Sequence, residues 1–335
     1  MRRFPRLLRP SLSVLSLLFL LVPLNIATAQ IGKYAQGSGT NIDFEHDGLQ
    51  RSYRLAVPAK LPEGKKVPVV VCLHGGGGDS RVSSSMGLTP LAEREGFVAV
   101  YPSALNKHWN DGRDSPMFQE HDRTVDDVSY VMAVLDQVKA KYPVDSNRVF
   151  AMGLSNGGFF AQKLAIEHSE TFAAISVVIA TMGKPLSETF QPTKPVSVLY
   201  MNGTEDPLMP YEGGAVGIRI TPFRYRQMEA PRGRAISTDQ AIALWAKYNG
   251  TQEKPSVAKT LPNQSPSDGS TIEYTLWDEG KQGTAVALYK VVGGGHAIPG
   301  GVQYLPVSVI GRPNQDAMGL ELIWDFFQQH ARSAE

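Results

Sequence analysis

The sequence predicts an α/β fold with a mostly parallel central sheet and helices on both faces. Short apolar runs with the composition of strands alternate along the chain with longer stretches that have helical spacing. Two of the runs, residues 173–180 and 196–200, are apolar without alternation, as expected of strands that are covered on both faces. No repeat at solenoid or propeller spacing is found in the sequence.

The clearest element in the first half of the chain is a helix predicted over residues 125–142. Its apolar residues recur at helical spacing, Thr124 offers a cap oxygen, and Pro143 ends it. The other elements predicted in this half are strands at 51–57, 67–73, 97–102 and 148–154, and a helix at 89–95 that Gly96 ends.

The second half continues the alternation to the end of the chain. Its predicted helices cover residues 156–168, 237–248 and about 317–327, and its later strands cover 272–277 and 286–292. The least regular stretches are 106–123, 210–236 and 252–270, and we expect the first two to rim a functional site. One domain spanning residues 30–335 is therefore predicted.

The first 29 residues predict a secretory signal peptide. A basic region with four arginines precedes an apolar run over residues 14–24, and Ala27-Thr28-Ala29 supplies small residues for cleavage before Gln30. The apolar run is shorter than the ~20 residues of a spanning helix. We therefore expect a secreted or periplasmic protein without stable membrane association after cleavage.

Composition and charge exclude several other classes of protein. The 335-residue precursor has a net charge of +1 and no basic stripe, so nucleic acid is not an expected partner. Cys72 is the single cysteine, which rules out an internal disulfide or a cysteine-based zinc site. Because Cys72 lies inside an apolar strand, we expect a small buried hydrophobe rather than a nucleophile.

Ser155 lies in the pentapeptide Gly153-Leu154-Ser155-Asn156-Gly157, between a predicted strand and a predicted helix. A sharp strand-to-helix turn exposes the serine oxygen, and the helix N-terminus favours developing negative charge beside it. The alternative is an ordinary glycine-rich turn, but the strand before and the helix after favour a catalytic nucleophile.

His296 is the predicted general base. It follows the strand at 286–292 in a Gly-Gly-Gly-His segment, where an imidazole can reach over the sheet edge. The predicted acid is Asp206, which follows the strand at 196–200, because the order serine, acid, histidine is typical of one hydrolase fold. Glu205 and Glu212 are rivals in the same loop.

A glycine run, Gly75 to Gly78, follows the strand that ends at Leu73 and predicts an oxyanion hole. We assign one donor to the amide of Gly75 or Gly76 and the other to the amide of Asn156. A phosphate-binding loop is the rival, but no Gly-Lys-Ser/Thr and no G-x-G-x-x-G accompanies these glycines.

Two further side chains are assigned to substrate binding. Trp109 is predicted to contact an aromatic or sugar ring, the alternative being a tryptophan buried under a loop. His74 is placed at the substrate as part of the His-Gly motif, where it shapes the loop. A metal site is conceivable in the segment that contains His108, His121, Asp111, Asp114 and Asp122. The spacing of these residues matches no known set of metal ligands, so no metal is expected.

Together these motifs resemble the secreted polyhydroxybutyrate-depolymerase-like and feruloyl or acetylxylan esterase family of α/β-hydrolases. The resemblance runs over nearly all of the chain after residue 30. The segments that carry it are Arg51-Ser-Tyr-Arg-Leu, Leu73-His-Gly-Gly-Gly-Gly, Trp109-Asn-Asp-Gly, Val125-Asp-Asp-Val, Gly153-Leu-Ser-Asn-Gly-Gly, Asn202-Gly-Thr-Glu-Asp-Pro, Pro210-Tyr-Glu-Gly-Gly, Gly293-Gly-Gly-His and Pro299-Gly.

The resemblance implies the α/β-hydrolase fold, with Ser155 as nucleophile, Asp206 as acid and His296 as base. It also implies that residues 125–128 open a structural helix, so their carboxylates are not catalytic. Ile298 stands where relatives have an aromatic residue. Neither an added binding domain nor structural disulfides are expected here, which favours small or soluble esters over crystalline polymer.

The sequence therefore predicts a cofactor-independent serine esterase that acts through an acyl-enzyme. Its substrates are expected to be hydroxyalkanoate oligomers or feruloyl or acetyl esters. Acyl transfer to an alcohol and amide cleavage would use the same triad. The alternative from another class is a non-catalytic carbohydrate- or polymer-binding protein on a hydrolase scaffold.

Overall fold

The computed structural model describes residues 39–217, 230 and 232–333. The predicted signal peptide lies outside these residues, and the described residues fall within one unit. The strands are β1 (Thr40–His46), β2 (Leu49–Ala56), β3 (Val67–Leu73), β4 (Val98–Pro102), β5 (Val144–Leu154), β6 (Ala174–Val178), β7 (Ser197–Gly203), β8 (Gly214–Ala215), β9 (Arg234–Ala235), β10 (Val257–Thr260), β11 (Thr271–Trp277) and β12 (Val286–Val292).

Helices lie between the successive strands from β3 to β7, between β9 and β10, and after β12. They are α1 (Ser80–Ser84), α2 (Leu88–Glu95), α3 (Gln119–Thr124), α4 (Asp127–Lys141), α5 (Asn156–Glu167), α6 (Lys184–Glu188), α7 (Thr238–Asn249), α8 (Val307–Ile310) and α9 (Gly319–Gln329). Within the described ranges, no helix has the length and apolar character that crossing a bilayer requires.

Ten strands form one sheet in the order β1-β2-β4-β3-β5-β6-β7-β12-β11-β10. The six from β4 to β12 in this order are parallel, and antiparallel strands extend the sheet at both edges. This arrangement confirms the predicted mostly parallel sheet.

Both faces of the sheet are covered, as the unalternating apolar runs predict. Along β3, Val69, Val71 and Leu73 join the core cluster that contains residues of α4, α5 and α7. The intervening Val70 and Cys72 join the opposite cluster, which contains residues of α2 and α9. Every side chain of β3 is buried, so the strand tolerates no polar face.

The outermost strands, β1 and β10, are not predicted from the sequence, whereas their antiparallel neighbours β2 and β11 are. β1 pairs with β2 in a hairpin, and its residues are at most half-buried, so their polar character obscured the strand. The signal was the turn Asp47-Gly48, where both residues have positive φ of 50° and 73°. β10 lies inside the segment 252–270 that was predicted to be irregular.

Candidate active site

Ser155 occupies the turn between β5, which ends at Leu154, and α5, which begins at Asn156. Its φ of 52° and ψ of −118° are strained for a residue with a side chain. The Ser155 amide donates to the carbonyl of Val178 on the neighbouring strand at 2.9 Å, and its own carbonyl accepts from Gly158 and Phe159. These bonds hold the serine in its strained backbone conformation.

The two outer glycines of the pentapeptide are required by close backbone contacts. A Cβ atom at Gly153 would stand 2.0 Å from the Gly157 carbonyl oxygen, and one at Gly157 would stand 2.4 Å from the Leu73 oxygen. Both distances are far below van der Waals contact. Glycine at these positions therefore lets α5 start directly against the ends of β3 and β5, as the motif predicts.

The structure brings Asp206 and His296 together. His296 Nδ1 lies 2.6 Å from Asp206 Oδ2, and both side chains are buried. The other carboxylate oxygen, Oδ1, accepts from the amides of Leu208 and Met209, each at 2.8 Å. Because the ionised carboxylate only accepts, Nδ1 carries the proton, which leaves Nε2 of His296 able to take one.

Neither rival carboxylate takes this place. Among the described residues, the carboxylate in contact with His296 is that of Asp206, whereas Glu205 and Glu212 are exposed. The buried position and the two backbone donors distinguish Asp206 from its neighbours.

Ser155, Asp206 and His296 follow β5, β7 and β12, three strands that run parallel within the sheet. The carboxyl ends of parallel strands meet at one sheet edge, where ligands bind in open α/β sheets. Within the described part of the chain, the Ser155 hydroxyl makes no hydrogen bond to His296. The hydrogen bond between nucleophile and base often forms only when substrate binds, so its absence is no argument against His296 as the base of Ser155.

The glycine loop lies beside the serine. A Cβ atom at Gly75 would stand 3.5 Å from Ser155 Cβ, and one at Gly76 would stand 3.7 Å from Asn156 Cβ. In residues 39–217, 230 and 232–333, the amides of Gly75, Gly76 and Asn156 donate to no protein acceptor. Their positions make these three amides available to a negative charge that forms next to Ser155.

The prediction that His74 and Trp109 contact the substrate is wrong, because neither side chain reaches solvent. His74 and Trp109 are each 0% exposed. His74 accepts from the Ala104 amide through Nε2 at 3.0 Å and donates through Nδ1 to the Gly75 carbonyl at 2.8 Å. Burial lowers the pKa of His74, so the neutral ring shapes the loop.

Trp109 lies beneath the site instead of lining it. Its ring packs between His74 and Phe160, with centroid separations of 4.9 Å to each, and its indole nitrogen donates to the His74 carbonyl at 2.9 Å. A large apolar ring gains more from these buried contacts than from exposure at a rim, which explains its place under the loop.

The nearby histidines form no metal cluster within the described ranges. His108 Nε2 lies 3.6 Å from Asp122 Oδ1, and His121 Nε2 lies 3.5 Å from Asp127 Oδ2. Asp111 is engaged elsewhere, in an ion pair with the Arg113 guanidinium at 2.6 Å.

Tyr304 is a residue of the site that was not predicted from the sequence. Its hydroxyl donates to the His296 carbonyl at 3.0 Å, while the side chain remains exposed. Burial of the hydroxyl end and the charge of Asp206 raise the pKa of Tyr304. The segment that carries it, residues 297–311, contains no Asp, Glu, Lys or Arg, and this charge-free run directly after His296 was the available signal.

Comparisons with known proteins agree with this architecture. Residues 51–222 match the family model described as esterase PHB depolymerase. The chain is 30% identical over 284 residues to the putative esterase NocK of Nocardia uniformis subsp. tsuyamanensis, covering 83% of this chain and 79% of the relative. It is 27% identical over 203 residues to a probable feruloyl esterase C of Aspergillus niger, covering 58% and 70%.

A solved structure shows the same fold. The acetyl xylan esterase from Aspergillus awamori superposes with a TM-score of 0.55 at 15% identity, covering 87% of this chain and all of that one (100%). Together with the family match, this likeness confirms the resemblance found in the sequence. The chain is a member of the esterase PHB depolymerase family, a carboxylic ester hydrolase with the α/β-hydrolase fold.

Proposed function

We propose that the protein is an exported serine esterase that hydrolyses carboxylic esters through an acyl-enzyme on Ser155. The observation that carries this proposal is the buried Asp206–His296 pair, which lies on the same sheet edge as a serine held at positive φ. This combination matches the roles of nucleophile, base and orienting acid by geometry and by chain order.

In the first half of the reaction, Ser155 Oγ attacks the ester carbonyl and His296 Nε2 takes its proton. The amides of Asn156 and of Gly75 or Gly76 hold the negative oxygen of the tetrahedral intermediate. The intermediate collapses when the ester C–O bond breaks, and the protonated His296 gives its proton to the leaving alcohol.

In the second half, water replaces the alcohol. His296 Nε2 takes a proton from water as it attacks the acyl-enzyme, and the acid leaves as the proton returns to Ser155. Asp206 stays ionised throughout and stabilises the imidazolium that forms twice per cycle. No cofactor is required for these steps.

The proposed substrates are esters with uncharged acyl groups, namely feruloyl, acetyl or hydroxyalkanoate esters. The relatives named feruloyl esterase and acetyl xylan esterase support the first two. The charge-free segment 297–311, whose exposed Tyr304 and Val307 lie close after His296 in the chain, supports an uncharged acyl group. Burying apolar groups of the substrate against such a surface is favourable.

Export is proposed from the basic and apolar segments of residues 1–29 and the small residues before Gln30. N-terminal sequencing of the protein recovered from culture medium or periplasm is expected to begin at Gln30. Recovery of the uncut chain from the cytoplasm alone would contradict export.

The activity test is a panel of p-nitrophenyl esters and methyl hydroxycinnamates with wild type and Ser155→Ala. Wild type is expected to hydrolyse members of the panel, and the folded variant is expected to lose nearly all of that activity. Equal activity in both proteins would contradict the assignment of Ser155. Activity in neither, combined with binding of polysaccharide or polyester, would favour the non-catalytic alternative.

A further inference from the structure

We propose that Trp109 is a positioning residue that ties together the two segments which supply the oxyanion donors. This inference rests on the proposed serine esterase function and assigns a role to the Trp109-Asn110-Asp111 motif, which makes no contribution to the triad. Trp109 is fully buried, so it acts on the reaction through its neighbours and not through the substrate.

The first tie orients the glycine loop. The indole N–H of Trp109 donates to the His74 carbonyl at 2.9 Å. That carbonyl belongs to the same planar trans peptide group as the Gly75 N–H, so the two point in opposite directions. By fixing the carbonyl on the inner side, Trp109 fixes the Gly75 N–H on the outer side, next to Ser155.

His74 extends this control to the next peptide group. The Gly75 carbonyl accepts from His74 Nδ1 at 2.8 Å and from the Gly78 amide at 3.0 Å. The Gly76 N–H therefore also has a set direction, whichever of the two glycine amides serves as donor. The His74 ring packs on the Trp109 ring, so both orientations depend on the same tryptophan.

The second tie fixes the first residue of α5. Both polar atoms of the Asn156 side chain bind the backbone of Trp109: Oδ1 accepts from its amide at 2.8 Å, and Nδ2 donates to its carbonyl at 3.1 Å. Nδ2 also donates to Asp111 Oδ2 at 2.6 Å. The residue whose amide is the other proposed donor is therefore bound to the same segment as the glycine loop.

The segment itself is anchored from behind. The Asn110 amide donates to Asp127 Oδ2 at 2.9 Å, and Asp127 is ion-paired with the buried Arg51 at 2.6 Å. Stacking between Trp109 and Phe160 is nearly parallel, at an interplanar angle of 6°. Trp109 therefore forms a rigid link between the glycine loop and α5.

Rigid donors matter because they stabilise the transition state without reorganising during the reaction. Their loss raises the barrier to the tetrahedral intermediate more than it weakens binding of the neutral ester. Loosening the link should therefore lower kcat while leaving KM nearly unchanged.

The test is Trp109→Phe, which keeps most of the stacked ring and removes the N–H donor. Rates are measured on an oxygen ester and on the matching thionoester, in which the carbonyl oxygen is replaced by sulfur. Sulfur is larger and accepts hydrogen bonds weakly, so the ratio of the two kcat/KM values reports on the oxyanion donors. Removing a whole donor costs ~10²–10³-fold in kcat, and we expect misalignment to lower the ratio by about tenfold or more.

Trp245→Phe is the matched control. Trp245 is equally buried, and its indole nitrogen donates to Gln162 Oε1 at 3.4 Å, away from the glycine loop. We expect this variant to keep the wild-type ratio even if its stability falls. Asn156→Ala is the second test variant, because it retains the backbone amide and removes both side-chain hydrogen bonds to the Trp109 backbone. Its ratio should fall as that of Trp109→Phe does.

The outcomes separate this inference from the proposed function. Hydrolysis that survives Ser155→Ala contradicts the serine mechanism and the inference with it. Serine-dependent hydrolysis with an unchanged ester-to-thionoester ratio in Trp109→Phe and Asn156→Ala contradicts the inference alone. A fall of both rates in equal proportion shows a merely structural role for Trp109 and also overturns it.

Discussion

Replacing Asp206 by Asn tests the triad at the carboxylate that orients His296. Asp206 Oδ1 accepts two backbone amides at 2.8 Å, while Oδ2 faces His296 Nδ1 at 2.6 Å. An asparagine must keep its oxygen towards the two amides, which places its NH₂ group against Nδ1. The imidazole then has to accept at Nδ1 and carry its proton on Nε2, where it can no longer act as the base for Ser155.

The magnitude follows from comparing the two orientations of the amide. Turning the NH₂ group towards the backbone would leave two buried N–H donors unpaired, at about 1–3 kcal/mol each, or ~2–6 kcal/mol together. The inactive tautomer of His296 avoids that cost and is therefore the favoured state. A wrong tautomer in a serine triad lowers kcat by about 10⁴-fold, which at ~1.36 kcal/mol per tenfold is ~5.4 kcal/mol.

The assay is the steady-state hydrolysis of a p-nitrophenyl ester by Asp206→Asn, with Glu205→Gln as the control from the same loop. Glu205 is exposed, so its variant should keep wild-type kcat. We expect Asp206→Asn to lose about 10⁴-fold in kcat with little change in its unfolding midpoint. A folded Asp206→Asn enzyme within tenfold of wild type would refute the tautomer argument.

Three further expectations concern buried groups outside the triad. Burial lowers the pKa of His74, so the unfolded chain binds this proton at a higher pH than the folded chain does, and the free energy of unfolding falls as pH drops below ~6.5. In urea unfolding, His74→Gln should lose less of this free energy between pH ~6.5 and ~5 than wild type does. An equally steep loss in both proteins would contradict this expectation. Burial raises the pKa of the Cys72 thiol to about 12, so a thiol reagent at pH 8 should modify it only after unfolding, and rapid labelling of native protein would contradict its burial. Asp127→Asn leaves the Arg51 charge buried without its partner and should destabilise the fold by about 3–5 kcal/mol in urea unfolding, whereas a loss below ~1 kcal/mol would show that water or another acceptor compensates.

Central strands such as β3 and β4 could be predicted from the sequence because each is a continuous apolar run, whereas β5 begins at Val144, before its predicted start at residue 148, because residues 145–148 are polar. β3 and β12 have the predicted bounds. Every residue of β3 is buried, and β12 is buried from Val286 to Tyr289 and at Val291. β1 and β10 could not be recognised in the same way. Their residues are mostly exposed, and pairing with a neighbouring strand, rather than burial, defines them.

The candidate site divides along similar lines. Ser155 and His296 carry local glycine signals, and those signals reflect backbone contacts that the structure shows directly at Gly153 and Gly157. Trp109 gives no such signal, because its burial depends on the loop at His74 and on Phe160 of α5, which are distant in sequence. From the sequence alone, a tryptophan in a polar loop suggests contact with a ligand, because its packing partners are distant in sequence.

The proposed mechanism depends most on Ser155 as the nucleophile, and covalent labelling tests this role most directly. The protein is treated with a fluorophosphonate, which reacts with activated serines, and peptide mass spectrometry locates the adduct. We expect one adduct, on the peptide that contains Ser155, together with loss of ester hydrolysis in the same proportion; Ser155→Ala should take up no label. Labelling at another residue, or full hydrolysis by protein that is labelled at Ser155, would contradict the proposed mechanism.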